Sequence, residues 1–433
     1  MKSSLFQTIL LAVFGSLAVA GVLIFAFAVG GNGSSAVGSV TIWGTLDQNA
    51  FSTVIRTVAE DDPTLSQVSY VEKEEATFEE ELTSALARGE GPDLYLLRQD
   101  YAEQHSGRVF VIPFESLSAA QFQDTFVDAA LPFIARDGIT AIPLVVDPLV
   151  LYWNRDMLQT AGYARPPVYW DELHNMVLDL TVKNDAGRIT KSTIPFGEYR
   201  NVNNAKEIMS MLIMQAGGSI VVRDNTGQLV PALSPRTGET AQATASALRF
   251  YTEFADPSKD WYTWNRALPE AQTAFAAGDL ALYLGLASEE PLIRRKNPNL
   301  NFAVAPVPQI RNGDRAVNAG HAYGFAIPRT SANRNGAITV AYLLASSELS
   351  KTLSIALGIP SARRDVLSAA APTEGSDGLF NKQAIIVRAW IDPNPLKTAK
   401  VFQDMIENTT SGATLLSEAI SRADQEISEM LGL

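Results

Sequence analysis

The chain has 433 residues, more than one hydrophobic core usually organises, and 46% of them are hydrophobic; two folded lobes are expected and a largely disordered protein is excluded. Its formal net charge is −13, a balance that repels nucleic-acid phosphates and anionic lipid headgroups, so neither is expected as a partner of the globular part. With no cysteine, the chain can hold no disulfide, thiolate metal site or cysteine nucleophile.

In chain order, residues 1–8 form a short N-terminus carrying Lys2, placed on the cytoplasmic side by its charge. An apolar run follows at 9–31, from Ile9 to Val29, interrupted by Gly15, Ser16 and Gly21. A membrane helix needs about 20 such residues and a signal-peptide core about 7–15, so the length predicts a retained transmembrane anchor. Ala18-Val-Ala20 and Ala26-Phe-Ala28 also fit the small-x-small pattern of a cleaved signal. Under either reading the rest is exported, and the Gly- and Ser-rich stretch 32–39 is a flexible tether.

Val40–Trp43 then reads as a strand, and Phe51, Val54, Ile55 and Val58 fall on one helical face. Thr64–Val71 is a second strand, Phe78–Ala87 a helix stopped by Gly89-Glu-Gly-Pro92, and Asp93–Leu97 a third strand. This alternation predicts a parallel sheet with covering helices, whose ligand lies beyond the carboxyl ends of the strands. From Gly138 the chain reads as a strand broken at Asp147-Pro148, then a second strand to Trp153, a short helix and a Gly162 stop. Further helices are predicted at Asp171–Val182, Ala205–Ala216, Thr240–Phe254, Leu268–Ala277 and Gly336–Ser346, with a hairpin around Asp224-Asn-Thr-Gly227. The chain is expected to end on helices Ala399–Asn408 and Thr414–Leu431, the last with an apolar stripe of Leu416, Ala419, Ile420, Ala423, Ile427 and Met430.

Trp153-Asn-Arg-Asp156, followed by Ala161-Gly162, Pro166-Pro167 and Trp170-Asp-Glu-Leu173, resembles the first hinge crossing of bacterial extracellular solute-binding proteins of ABC importers, in their sugar-binding, maltose-binding-protein-like branch. Ala274-Phe-Ala-Ala-Gly-Asp-Leu-Ala, Gly320-His-Ala-Tyr-Gly-Phe-Ala-Ile-Pro-Arg329 and Gly358-Ile-Pro-Ser-Ala-Arg363 extend the likeness from about Val40 to the C-terminus. The resemblance implies an α/β, two-lobed type II periplasmic-binding-protein fold. Each lobe would hold a mixed, mainly parallel sheet flanked by helices. The first lobe would take residues 40–146 and 324–371 and the second 147–323 and 372–433, with crossings near Asp147, near Gly320–Gly324 and in Pro372–Gly378. It further implies a monomeric receptor that closes on a carbohydrate and delivers it to permease subunits served by a separate ATPase. The lipid tether that family members often carry on a cysteine is impossible here, so the N-terminal helix stands in for it.

A sugar site needs rings to stack on and carboxylates to accept from hydroxyls. Placed by the resemblance, the candidates are Trp43, Asp47, Asp100, Tyr101, Asp147, Glu198, Tyr199, Trp264, His321, Tyr323 and Trp390. Each has a plainer reading. Trp43 and Trp264 suit a core, Asp47 suits a helix cap, and Glu198 and Tyr199 are alternatives to each other. Asp147 interrupts an apolar run, which favours a ligand. The three histidines, His105, His174 and His321, show no metal-binding spacing; no metal or cofactor is expected. No nucleophile elbow, P-loop or dinucleotide fingerprint occurs. Two other classes stay open: a receptor for a peptide or polyamine, and an exported carbohydrate-active enzyme with a carboxylate pair.

Overall fold

The computed structural model describes residues 37–234, 242–369 and 375–433. The expected anchor or signal at 9–31 and most of the tether lie outside them. Among the described residues no helix is long and apolar enough to cross a membrane.

Strand β1 (Val40–Gly44), helix α1 (Gln48–Asp61), β2 (Val68–Glu72), α2 (Phe78–Arg88) and β3 (Leu94–Arg98) follow the predicted alternation. β1 lies between β2 and β3 and pairs in parallel with both, because a helical crossover carries the chain back to the same end of the sheet, so the next strand runs in the same direction. α1 buries Phe51, Val54 and Ile55, and Phe51 stacks on Tyr70 of β2 with 4.1 Å between ring centroids. α2 buries Phe78, Leu82 and Ala85 and stops at Gly89, whose φ of 71° needs no Cβ.

β4 (Ile142–Asn154) corrects the expected break at Asp147-Pro148: it is one strand of 13 residues, buried along nearly all its length. Three later strands pair with it antiparallel, β5 (Leu282–Leu286), β6 (Phe302–Ala305) and β7 (Gly320–Ala326). β4 changes partner at its midpoint. Ile142–Pro148 pairs with β7, and Leu149–Trp153 pairs with β5. A proline cannot donate to a ladder; Leu149 donates to Ala319 on the β7 side and Val146 to Pro360 on the other, so Pro148 faces the side on which the segment at Pro360 gives way to β5. Its missing N–H therefore falls at a gap that the sheet already has.

The sheet runs β5-β4-β7-β3-β1-β2, with β6 also on β4. The expectation of a mainly parallel sheet in each lobe is met only by β1–β3. The second lobe's named strands are antiparallel, because its sheet is built on the crossing strand itself, and β5 and β6 run back along its two edges. A parallel bridge, Ser192 to Leu280, adds to it.

Two buried clusters lie on either side of the crossing. One gathers β1–β3, the first half of β4, β7, α1 and α2; the other gathers the second half of β4, β5 and most of the chain between 158 and 307. Helices α3 (Ala205–Gln215) and α4 (Ala243–Thr252) build the second cluster, and α5 (Arg334–Leu344) and α6 (Ser347–Leu357) the first. In α7 (Ser376–Ile385), Phe380 packs into the second cluster, while Ala384 and the following Val387 pack into the first. α7 thus lies on the boundary between the clusters; part of the crossing expected at Pro372–Gly378 lies outside the described residues. Helices α8 (Pro395–Thr410) and α9 (Leu416–Met430) complete the second lobe, α9 burying Ala419, Ile420, Ala423 and Ile427.

The closest backbone approach at the crossing is at Gly320, where a Cβ would stand 2.3 Å from the carbonyl oxygen of Asp147. Gly320→Ala is expected to lower stability by about 1–3 kcal/mol, the usual cost of overpacking a site that cannot give way; a thermal or urea melt measures it.

Candidate functional site

The sheet register assembles the site. His321 of β7 lies directly opposite Asp147 of β4, and Tyr323 lies opposite both Val145 of β4 and Arg98 of β3. Opposed residues of an antiparallel pair share a face, as do residues two apart on one strand. Asp147, His321, Tyr323 and Arg98 therefore form a row on one face of the sheet, spanning three strands. They floor a cleft of about 1060 Å³ between the two buried clusters.

One wall comes from the ends of β1 and β3. Asp47 caps α1, accepting from the N–H of Ala50 at 2.7 Å, and also faces the cleft. Both readings offered for it in the sequence are thus compatible. The Arg98 guanidinium is bidentate to Asp100 (2.8 and 2.9 Å), reaches Glu75 at 2.8 Å and lies 5.3 Å from the centre of the Tyr101 ring. Burial works against the Asp100 charge, yet Arg98 holds the carboxyl down at about 2. Gln99 ties this wall to β7, accepting from the N–H of Ala322 at 2.7 Å.

The opposite wall comes from the second lobe, through Tyr199, Asn204, Lys206, Glu207, Ser288 and Glu289. Lys206 is already committed: its Nζ lies 2.5 Å from Asp392 Oδ2 and 2.9 Å from Thr398 Oγ1. Glu289 accepts from Asn204, Gln272, Tyr283 and the N–H of Leu286, all neutral donors.

Asp147, at the junction, is only 2% exposed. It accepts from the N–H of Ser288 at 3.0 Å. Burial pushes its carboxyl up to about 7; the bonds from Ser288 oppose this and nearby Glu289 adds to it. His321 is pushed down, first by burial and then by Arg98. Its Nε2 stands 3.6 Å from Glu207, and its buried Nδ1 has no hydrogen-bond partner among the described residues.

The structure thus brings Asp47, Asp100, Tyr101, Asp147, Tyr199, His321 and Tyr323 to one cleft. Four candidates lie elsewhere. Trp264 is 1% exposed in the second core, its indole N–H donating to Asn201. Glu198 is buried behind the wall against Arg266, leaving the cleft to its alternative Tyr199. Trp43 lies outside the cleft lining, with the Lys73 ammonium 4.0 Å over its ring. Trp390 stacks on Phe402 and lines a smaller adjoining cavity with Lys206 and His321. Large rings bury more apolar area than a polar cleft can return. Sequence reasoning missed Arg98, Glu75, Lys206, Glu207, Ser288 and Glu289. Arg98 and Ser288-Glu289 did carry a signal, since each closes or follows a strand at its carboxyl end.

A carboxyl that holds its proton more tightly folded than unfolded destabilises the fold as pH rises from its unfolded value towards 7. Asp147→Asn keeps the acceptor for Ser288 and removes the buried charge. It is expected to stabilise the ligand-free protein at about pH 8, by as much as about 4 kcal/mol, with the gain vanishing near pH 4; denaturation across that range checks it.

Residues 66–349 match the model of the family described as bacterial extracellular solute-binding protein. A protein of Brucella abortus (strain 2308) named as a binding protein is 22% identical over 244 residues, 55% of this chain and 54% of that protein. The chain thus spans about half the length of the curated relatives it matches. Among solved structures, an ABC transporter solute-binding protein of Thermotoga lettingae bound with α-D-tagatose is 20% identical with a TM-score of 0.71, covering 91% of this chain and 100% of that one. A cyclic α-maltosyl-1,6-maltose binding protein of Arthrobacter globiformis is 17% identical with a TM-score of 0.74, covering 91% and 98%. These two share the fold. With the family model covering well over half its length, this chain belongs to the bacterial extracellular solute-binding proteins.

Proposed function

We propose that the chain captures a carbohydrate outside the cytoplasm by closing its two lobes around the cleft, and hands it to membrane permease subunits driven by a separate ATPase. The N-terminal segment would hold it at the membrane or be removed after export, and the receptor would act as a monomer. The observation that carries this is the row Asp147–His321–Tyr323–Arg98, set on the strands where the chain passes between lobes and faced by groups from both. A ligand bridging the walls makes its full set of contacts only when they approach, so binding shifts the molecule towards a closed form. Hydroxyls suit such a lining, since each can accept from Asn204 or Arg98 and donate to Asp47 or Asp147. The names of the Thermotoga and Arthrobacter proteins, which specify sugars, support the same ligand class.

Calorimetry against mono- and oligosaccharides, amines and peptides tests the reading. A sugar is expected to bind unchanged and to reduce the radius of gyration in small-angle scattering. Asp147→Ala is expected to weaken it about ten- to a hundredfold, roughly 1.4–3 kcal/mol. Binding of amines or peptides without any sugar would refute the carbohydrate assignment, and unchanged affinity in the folded variant would remove Asp147 from the site.

A further inference from the structure

The charges of the cleft do not balance internally. Among the described residues four lysines and arginines line it: Arg98, Arg200, Lys206 and Arg295. Arg98 is taken by Asp100 and Glu75, Arg200 by Glu407 at 3.0 Å, and Lys206 by Asp392. Arg295 is exposed and makes no ion pair among the described residues. Asp147, Glu207 and Glu289 also line the cleft, and no lysine or arginine pairs with any of them among the described residues. Glu207 faces His321, whose positive form is opposed by burial and by Arg98. Glu289 takes only neutral donors, and the turn at Ser288 supplies Asp147 with an N–H and no charge. Taking carboxylates out of water without a counter-charge is costly, and closure of the cleft would remove more of that water.

Two further features narrow the missing partner. Among the described residues the buried Nδ1 of His321 lacks a hydrogen-bond partner, and the register sets His321 beside Asp147 on the cleft floor; buried polar groups ordinarily find a partner. A neutral imidazole beside a carboxylate suits a ligand bearing both hydroxyls and a donor cation. The lining also presents donors, Asn204 and the Arg98 guanidinium among them, which a polyamine, having no acceptor, cannot use.

We propose that the cleft is built for an amino sugar, a hydroxyl-bearing ligand whose protonated amine sits against Asp147 and Glu289. This rests on the carbohydrate reading and deepens it. The amine supplies the counter-charge that Asp147 and Glu289 lack among the described residues, and the hydroxyls engage His321 and the polar walls. Among the described residues the cleft lining contains three tyrosines, Tyr101, Tyr199 and Tyr323, and no tryptophan or phenylalanine. Recognition therefore leans on charge and hydrogen bonds more than on stacking.

The test is calorimetry of the full chain, in detergent, with D-glucosamine and its β-1,4-linked dimer. Their N-acetylated counterparts, glucose, maltose and spermidine serve as comparisons. The free amines are expected to bind about ten- to a hundredfold more tightly than the N-acetylated forms, the range of a charged hydrogen bond. Asp147→Asn and Glu289→Gln are each expected to narrow that gap, while melts monitor folding. Equal binding of amino, N-acetylated and neutral sugars overturns this inference and leaves the carbohydrate reading standing. Spermidine binding without any sugar overturns both. Failure of the amine-bearing sugars to bind, whatever else does, overturns the inference, as does a gap that persists in both variants.

Discussion

The antiparallel pairing of β4 with β7 is the constraint on which the rest of the molecule depends. β4 runs from one buried core into the other, β7 enters the first core directly after Ala319 of the second, and their register sets His321 opposite Asp147 and Gly320 opposite Pro148. One pairing thus fixes the meeting point of the lobes and the side chains that floor the gap. Gly320 permits the approach, because a Cβ there would strike the backbone of Asp147 and Pro148. Pro148 places a missing donor where β4 exchanges partners. A residue pair that would weaken an ordinary central strand therefore costs little here, and the chain can pass from one core to another without interrupting the sheet.

The two walls handle charge in different ways. On the first lobe Arg98 neutralises Asp100 and Glu75 and lies against the Tyr101 ring, so one guanidinium organises three other side chains. Bidentate geometry holds such an arrangement better than a lone ammonium could. On the second lobe Lys206 is drawn away from the cleft acids to Asp392, a buried carboxyl that burial pushes up against the lysine's pull. The charge left over sits at the junction, where Asp147 and Glu289 are near each other and water is scarce. Such a site is poor for the stability of the empty protein and good for a ligand that brings what it lacks. Functional sites commonly carry strain of this kind.

Family membership argues against the enzyme alternative, and the cleft removes part of the aromatic argument for sugar binding. Of the candidate tryptophans, Trp264 belongs to the core, Trp43 lies outside the lining, and Trp390 serves a side cavity. What supports a hydroxyl-bearing ligand is the density of carboxylates, amides and tyrosines along two facing walls.

Much of this was legible in the sequence. Periodicity located α1, α2, α3 and α9 to within a few residues, and the alternation of β1–β3 with helices determined their parallel order, since short helical crossovers allow little else. An acid and a proline inside the apolar run at 142–154 marked the place where something unusual happens. Periodicity could not show that the strand continues there, because whether a proline breaks a strand depends on what the neighbouring strand needs at that position. Nor could it show that the second lobe's strands run antiparallel, or that Trp264 turns inward while Tyr199 turns outward. Those outcomes, and the meeting of Arg98, Asp147, Glu289 and His321 in one space, were decided by contacts between residues up to about two hundred positions apart. Local sequence pattern encodes which face of an element is buried; only the packing of whole elements decides which exposed faces end up looking at each other.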